Sequence, residues 1–255
     1  MARTPRSRQL GLLTSSVDPV LIDSVAQAGL DFLWLDAENT GLTPVQVGEV
    51  VGRLSGSATR TAVRVQNQEP DMLLTYANMG VDEIVVPRVR TLREIQQACA
   101  WLSYPPAGRR PRQVTPGTAW GTSYEREPAV SIIVETMDVV RSLEQIAAAQ
   151  CVTTFWLGPK DLRDDYEQEG GGPGGFDEVL HEVITTLAGL GVEFGWGVPD
   201  PSDVASVWRS GATCCALYWD VHLARHLSRS ARTVLTADPL PSPVPLPDGG
   251  LAGGA

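Results

Sequence analysis

A chain of 255 residues that is 43% hydrophobic and 20% charged has ordinary globular composition, which excludes a wholly disordered or collagen-like protein. Twenty basic against thirty acidic residues leave a net charge of −10, so the basic face that grips phosphates is not expected, and nucleic acid is not expected as a partner. No apolar run approaches the ~18 residues of a membrane span, and the first residues lack the apolar core of a cleaved signal, so neither a membrane partner nor export is expected and the cytoplasm is the expected compartment.

Short apolar runs alternate with longer segments of helical period along the chain. Strands are expected at residues 10–14, 32–36, 62–65, 83–87, 131–135, 154–157, 194–198 and 215–218. Amphipathic helices are expected at 18–28, 43–54, 70–79, 91–103, 137–149, 176–190 and 201–210, with a last one at 220–229. Thr91 and Glu94 have capping-box spacing, and Gly29 and Gly80 stand where helix-ending glycines belong. Strands alternating with helices over roughly 220 residues predict an α/β fold, the closed (β/α)8 TIM barrel. Residues 1–8 are expected to be a disordered N-terminal segment, 9–232 the single barrel domain, and 233–255 a Pro/Gly-rich disordered tail. The stretches 109–122 and 167–175 read as loops, with Arg109 and Arg110 as solvated loop charges.

Polar residues collect where strands end, which is the working edge of a barrel enzyme. Strand two ends in Asp36-Ala37-Glu38-Asn39, strand three carries Arg64, strand four ends in Pro87-Arg88 and strand five in Glu135-Thr136. Strand six ends in Gly158-Pro159-Lys160-Asp161 and strand eight in Tyr218-Trp219-Asp220. Glu135 and Asp161 are candidate oxygen ligands for a hard divalent ion, with Arg64 placed to pair with a carboxylate or a polarised carbonyl. Asp161 can instead cap the helix that follows it. Trp120, Trp156, Trp196 and Trp219 are expected near the barrel mouth. Cys99, Cys151, Cys214 and Cys215 form no CxxC pair, and His222 and His226, four residues apart, have no HExxH around them, so neither zinc nor a disulfide framework is expected. Lys160 is the sole lysine, so a Schiff-base mechanism would use it or the N-terminal amine.

Six stretches, in order, resemble the HpcH/HpaI aldolase family within the citrate lyase beta and phosphoenolpyruvate/pyruvate barrel group. They are Gly29 through Asn39, Ala62-Val63-Arg64-Val65, Asn78 through Pro87, Tyr104-Pro105-Pro106-Ala107-Gly108-Arg109-Arg110, Ile133-Val134-Glu135-Thr136 and Leu157-Gly158-Pro159-Lys160-Asp161-Leu162. The resemblance runs from about Gln9 to Arg229. It implies a metal-dependent carbon–carbon lyase acting on a 2-oxo acid through a metal-bound enolate. Glu135 and Asp161 would bind Mg²⁺, Mn²⁺ or Co²⁺. Gly158, Pro159, Lys160 and Asp161 would hold the substrate carboxylate, and Arg64 would stabilise the enolate oxygen. Asp36, Glu38, Asn39 and Arg64 make up the catalytic set. The resemblance also implies a homo-oligomer, a trimer or hexamer.

This chain departs from the family pattern at two positions. Asn39 replaces the family's histidine, and Asn78 replaces the aspartate that partners it in proton transfer. Asparagine positions a hydroxyl or water but does not titrate. Glu38 is then a candidate base. The alternatives are a decarboxylase or specialised carbon–carbon bond-forming enzyme, a Schiff-base aldolase through Lys160, and a non-catalytic binding barrel.

Overall fold

The computed structural model describes residues 8–172 and 174–236. Eight strands hydrogen-bond in sequence order and close into a parallel barrel, with β8 beside β1. They are β1 (Gln9–Thr14), β2 (Phe32–Asp36), β3 (Arg60–Arg64), β4 (Glu83–Val86), β5 (Ala129–Val134), β6 (Thr154–Leu157), β7 (Glu193–Val198) and β8 (Cys214–Tyr218). The expected TIM barrel is therefore the fold, and strand boundaries move by no more than two residues.

The helices are α1 (Pro19–Gln27), α2 (Pro44–Leu54), α3 (Pro70–Met79), α4 (Leu92–Leu102), α5 (Met137–Ala148), α6 (Pro159–Gln168), α7 (Phe176–Leu190), α8 (Val204–Arg209) and α9 (Trp219–Thr236). Asp18 caps α1, and capping boxes start α2 at Thr43/Gln46 and α4 at Thr91/Glu94. Helix α6 is not among the helices that periodicity gives, although the reading of Asp161 as a cap implies a helix there. Only Leu162 and Tyr166 are buried along it and most of its other residues are charged, so it carries no apolar stripe to read. Helix α9 continues past residue 232 to Thr236, while residues 1–7 and 237–255, assigned above to the disordered ends, lie outside the described residues.

Strand side chains alternate between two cores. Leu33, Leu35, Val63, Ile84, Ile132, Val134, Phe155 and Leu157 face outward and pack under the helices. Phe32, Trp34, Ala62, Val85, Ile133, Trp156, Cys214 and Ala216 fill the barrel. Small side chains face large ones there. A Cβ on Gly11 would stand 2.3 Å from the Phe32 ring. Glu83, at the start of β4, is buried beneath this plug and accepts from Ser131 Oγ at 2.5 Å and Trp156 Nε1 at 3.4 Å.

Arg110 corrects the reading of the 109–122 segment. It is 1% exposed, donates to the Ala77 carbonyl at 3.0 Å, and lies 4.7 Å from the centre of the Tyr104 ring. A guanidinium hides there because it is weakly hydrated and its flat face stacks on aromatics. Its polar neighbours lie far away in sequence, so local composition reads as solvated loop.

Candidate active site at the carboxyl ends of the strands

The pleat brings Asp36 and Arg64 together. They are register partners at the ends of β2 and β3, and both point into the barrel mouth. Arg64 Nε donates to Asp36 Oδ1 at 2.9 Å and Nη2 to Oδ2 at 2.6 Å, a two-pronged pair. Arg64 Nη1 lies 3.2 Å from Glu38 Oε2. A guanidinium has five N–H groups. Two donate to Asp36, and Nη1 faces Glu38 as an ion pair, so N–H groups remain for a ligand.

A cavity of about 530 Å³ opens beside this pair. Asp36, Asn39, Arg64, Glu135, Asp161 and Tyr218 border it, with Gly158, Pro159 and Lys160 at its edge. Eight of the nine predicted site residues thus meet at one cavity. Glu38 is the exception. It borders an adjoining recess of about 400 Å³ that shares Asn39, Glu135 and Asp161 with the first. Glu38 Oε1 lies 3.0 Å from Arg88 Nε, and Oε2 accepts from Asn39 Nδ2 at 3.3 Å as well as facing Arg64. Its carboxylate braces two arginines.

Arg88, which the sequence places at the end of strand four without a role, also belongs here. Its φ of 54° is left-handed. That backbone turn aims the Arg88 N–H at Glu135 Oε1, while its side chain, 65% exposed, reaches Glu38 and the Gln66 carbonyl. Strain at a non-glycine residue is tolerated where surrounding bonds over-determine it, as they do here. Nothing in local composition announces a left-handed arginine.

Gly158 lets the α6 terminus approach Glu135. A Cβ there would lie 3.0 Å from Ile133 Cγ2 and 3.2 Å from Glu135 Cβ. No side chain caps α6. Asp161 sits in the first turn and turns its carboxylate to the cavity, so the capping alternative is not the one adopted. The N–H groups of the first turn have no side-chain cap, and with the helix dipole behind them they are suited to an anion. Lys160 is 86% exposed, with Asp161 and Asp164 carboxylates 3.9 and 3.7 Å from its amine.

The aromatic floor differs from expectation. Trp34 and Trp156 border the cavity, their ring centres 4.6 Å apart. Trp120 lies at the opposite end of the barrel, Trp196 packs in the outer core, and Trp219 opens α9 and stacks on His222. Trp34 follows strand alternation from Phe32 and Asp36, a signal available in the sequence. Asn78 is also elsewhere. It ends α3 at the barrel's opposite face, where its Nδ2 donates to Gln113 Oε1 at 3.3 Å. Within one chain, Asn39 and Asn78 form no pair.

Burial pushes the Glu135 and Glu38 carboxyls above the ordinary carboxylate range. For Glu135 the Arg88 N–H works against this, while the fields of Glu38 and Asp161 add to it; for Glu38 the two arginines oppose burial. Among the described residues no group of three or more His, Cys, Asp or Glu is arranged to enclose a metal ion. The donor set nevertheless fits a hard divalent cation that keeps water or substrate oxygens as its other ligands. Four carboxylates, Asp36, Glu135, Asp161 and Asp220, border the cavity against two cations, Arg64 and Lys160. A raised carboxyl pKa makes the folded state hold a proton that the unfolded chain has already lost. Its contribution to stability therefore falls as pH rises from the usual glutamate value, about 4.3, through the folded value. In melts with EDTA, the wild type is expected to lose stability over that window relative to Glu135→Gln. Mg²⁺ or Mn²⁺ should restore it, with a thermal shift that grows with pH. A shift of equal size at every pH would contradict this.

The sequence profile of the HpcH/HpaI aldolase/citrate lyase family matches residues 9–226. The chain belongs to that family. It is a carbon–carbon lyase in class. The pyruvate aldolase of Rhizobium etli is 29% identical over 227 residues, which cover 84% of this chain and 88% of that protein. The 5-keto-4-deoxy-D-glucarate aldolase of Klebsiella pneumoniae is 29% identical over 161 residues, 60% of this chain and 63% of that one. A solved HpcH/HpaI aldolase/citrate lyase family protein from Burkholderia cenocepacia superposes with a TM-score of 0.80 at 21% identity, covering 91% of this chain and 95% of that one. No helix among the described residues is long and apolar enough to cross a membrane.

Proposed function

We propose that this lyase makes or breaks the bond beside the carbonyl of a 2-oxo acid, in the cavity between Arg64 and the start of α6. The observation that carries this reading is the convergence of Arg64, Glu135, Asp161 and the uncapped α6 terminus on one cavity. The N–H groups at Lys160 and Asp161 bind the substrate carboxylate. Arg64, held by Asp36 and Glu38, aims its remaining N–H groups at the keto oxygen, where negative charge develops as an enolate forms. Glu135 and Asp161 would hold Mg²⁺, Mn²⁺ or Co²⁺, which supplies Lewis-acid polarisation of the carbonyl. Asn39 holds a hydroxyl or water without exchanging its proton. Nothing desolvates the Lys160 amine, and two carboxylates flank it, so the geometry favours this route over a Schiff base.

Asn39 supports a second reading. Loss of CO₂ from an oxaloacetate-like acid forms the enolate without a base, so an amide at this position costs nothing there. Pyruvate release from a panel of 4-hydroxy-2-oxo acids and from oxaloacetate, with and without EDTA, separates the two. Cleavage of a hydroxy acid that EDTA abolishes is the expected result. Release from oxaloacetate alone assigns the decarboxylase, and release from neither overturns both. Exposed Val221, Leu223, Leu227, Val234 and Leu235 on α9 support a homo-oligomer, with a trimer or hexamer as the proposed assembly. The free cysteine thiols support a cytoplasmic location.

A further inference from the structure

Strand β8 ends at Tyr218, whose ring crosses the mouth against Gly197 of β7. A Cβ on Gly197 would stand 2.3 Å from Tyr218 Cζ and 2.7 Å from its hydroxyl oxygen. Residue 197 therefore has room for no side chain while the phenol lies there. Tyr218 borders the same cavity as Arg64, Glu135 and Asp161, and its hydroxyl makes no hydrogen bond to any described residue. Three carboxylates at the mouth are engaged elsewhere, and the fourth, Asp161, is the proposed metal ligand. Asp36 is taken by Arg64, Glu135 accepts from Arg88, and Asp220 accepts from Thr14 Oγ1, Ser15 N and Ser15 Oγ at 2.6–2.7 Å. A tyrosine whose ring is packed and whose hydroxyl is open offers one directed donor to a ligand.

In the 2-oxo-acid reading, on which this inference rests, the α6 terminus takes the carboxylate and Arg64 the keto oxygen. One further oxygen changes charge during the reaction, that of the second carbonyl compound, and neither group serves it. We propose that the Tyr218 hydroxyl donates a hydrogen bond to this oxygen, on an aldehyde or ketone in the bond-forming direction and on a 4-hydroxyl in cleavage. As the enolate carbon attacks, its π pair becomes the new carbon–carbon bond and the carbonyl π pair moves onto the oxygen, where the Tyr218 O–H points. That oxygen then takes a proton from solvent water, leaving hydroxide. In cleavage the hydroxyl proton leaves to hydroxide, the oxygen pair forms the carbonyl, and the bonding pair returns to the 2-oxo acid. Tyr218 keeps its proton throughout. Burial pushes the phenol further up, away from ionisation, with the Arg64 charge working against that shift.

Tyr218→Phe leaves the ring over Gly197 and removes the donor. Two rates are read on the same preparations, deuterium exchange into the pyruvate methyl group and carbon–carbon addition of pyruvate to glycolaldehyde or benzaldehyde. Removing one such donor typically costs about 10²-fold. The variant is expected to lose about 100-fold more in addition than in exchange. Gly197→Ala, which displaces the ring, should reproduce the selective loss in wild type and add nothing in a Tyr218→Ala background. Equal losses in both rates, or undiminished addition, would overturn the assignment. So would a wild type that exchanges pyruvate yet adds to neither aldehyde. A wild type that does not exchange pyruvate with any divalent ion instead overturns the 2-oxo-acid reading itself.

Discussion

Replacing Arg64 with lysine is expected to lower kcat/KM for 2-oxo-acid cleavage by roughly 10²–10³-fold, the usual cost of losing a directed donor to a developing oxyanion. Charge is retained, so charge alone does not account for the loss. The guanidinium spans both Asp36 oxygens, ion-pairs with Glu38 through Nη1, and still has N–H groups to present. An ammonium has three donors around one point and cannot satisfy two carboxylates and a substrate oxygen together. Asp36 and Glu38 are both largely buried, so loosening their partner also destabilises the fold, by about 2–4 kcal/mol if the contacts are lost outright. Urea melts and steady-state rates on the same preparation check both parts. A variant that keeps its rate but loses stability would make Arg64 a structural strut only.

Glu135→Gln is expected to separate stability from activity in the opposite way. The amide keeps the shape and its oxygen can still accept from the Arg88 N–H. The charge is gone, and with it a proposed metal ligand. Losing even an outer partner of a ligand commonly costs about 10–100-fold in metal affinity or activity, so losing the ligand should exceed that. At neutral pH without metal the same variant should melt higher than wild type, because the unbalanced buried charge that pushes Glu135 upward has been removed. Calorimetric titration with Mn²⁺ and melts in EDTA measure the two halves. Unchanged Mn²⁺ affinity would remove Glu135 from the ligand set.

The barrel and most of the site were legible in the sequence because they follow short-range rules. Alternation along β2 places Trp34 and Asp36 inward, and strand ends place Asp36, Arg64, Glu135 and Asp161 at one rim. What escaped, or stood at the rim without a role, depends on long-range fit. Arg88 enters through a left-handed backbone turn that no composition signals, and Tyr218 through a space left by Gly197 on a neighbouring strand. Arg110 is buried by Tyr104 and a carbonyl from α3, partners that a loop-composition argument does not see. Helix α6 lacks an apolar stripe because only two of its residues, Leu162 and Tyr166, are buried. Asn78 was paired with Asn39 by resemblance, yet the two lie at opposite ends of the barrel within one chain.

Arg64, Glu135, Asp161 and the α6 terminus are proposed together to make a 2-oxo acid enolise. Deuterium exchange into the methyl group of pyruvate, followed by NMR with Mg²⁺, Mn²⁺ or Co²⁺, tests it without knowledge of the natural reaction partner. Exchange is expected to require the metal, to stop with EDTA and to be lost in Glu135→Gln. Exchange that persists in EDTA and in the variant, or metal binding at Glu135 with no exchange under any of the three ions, would contradict it.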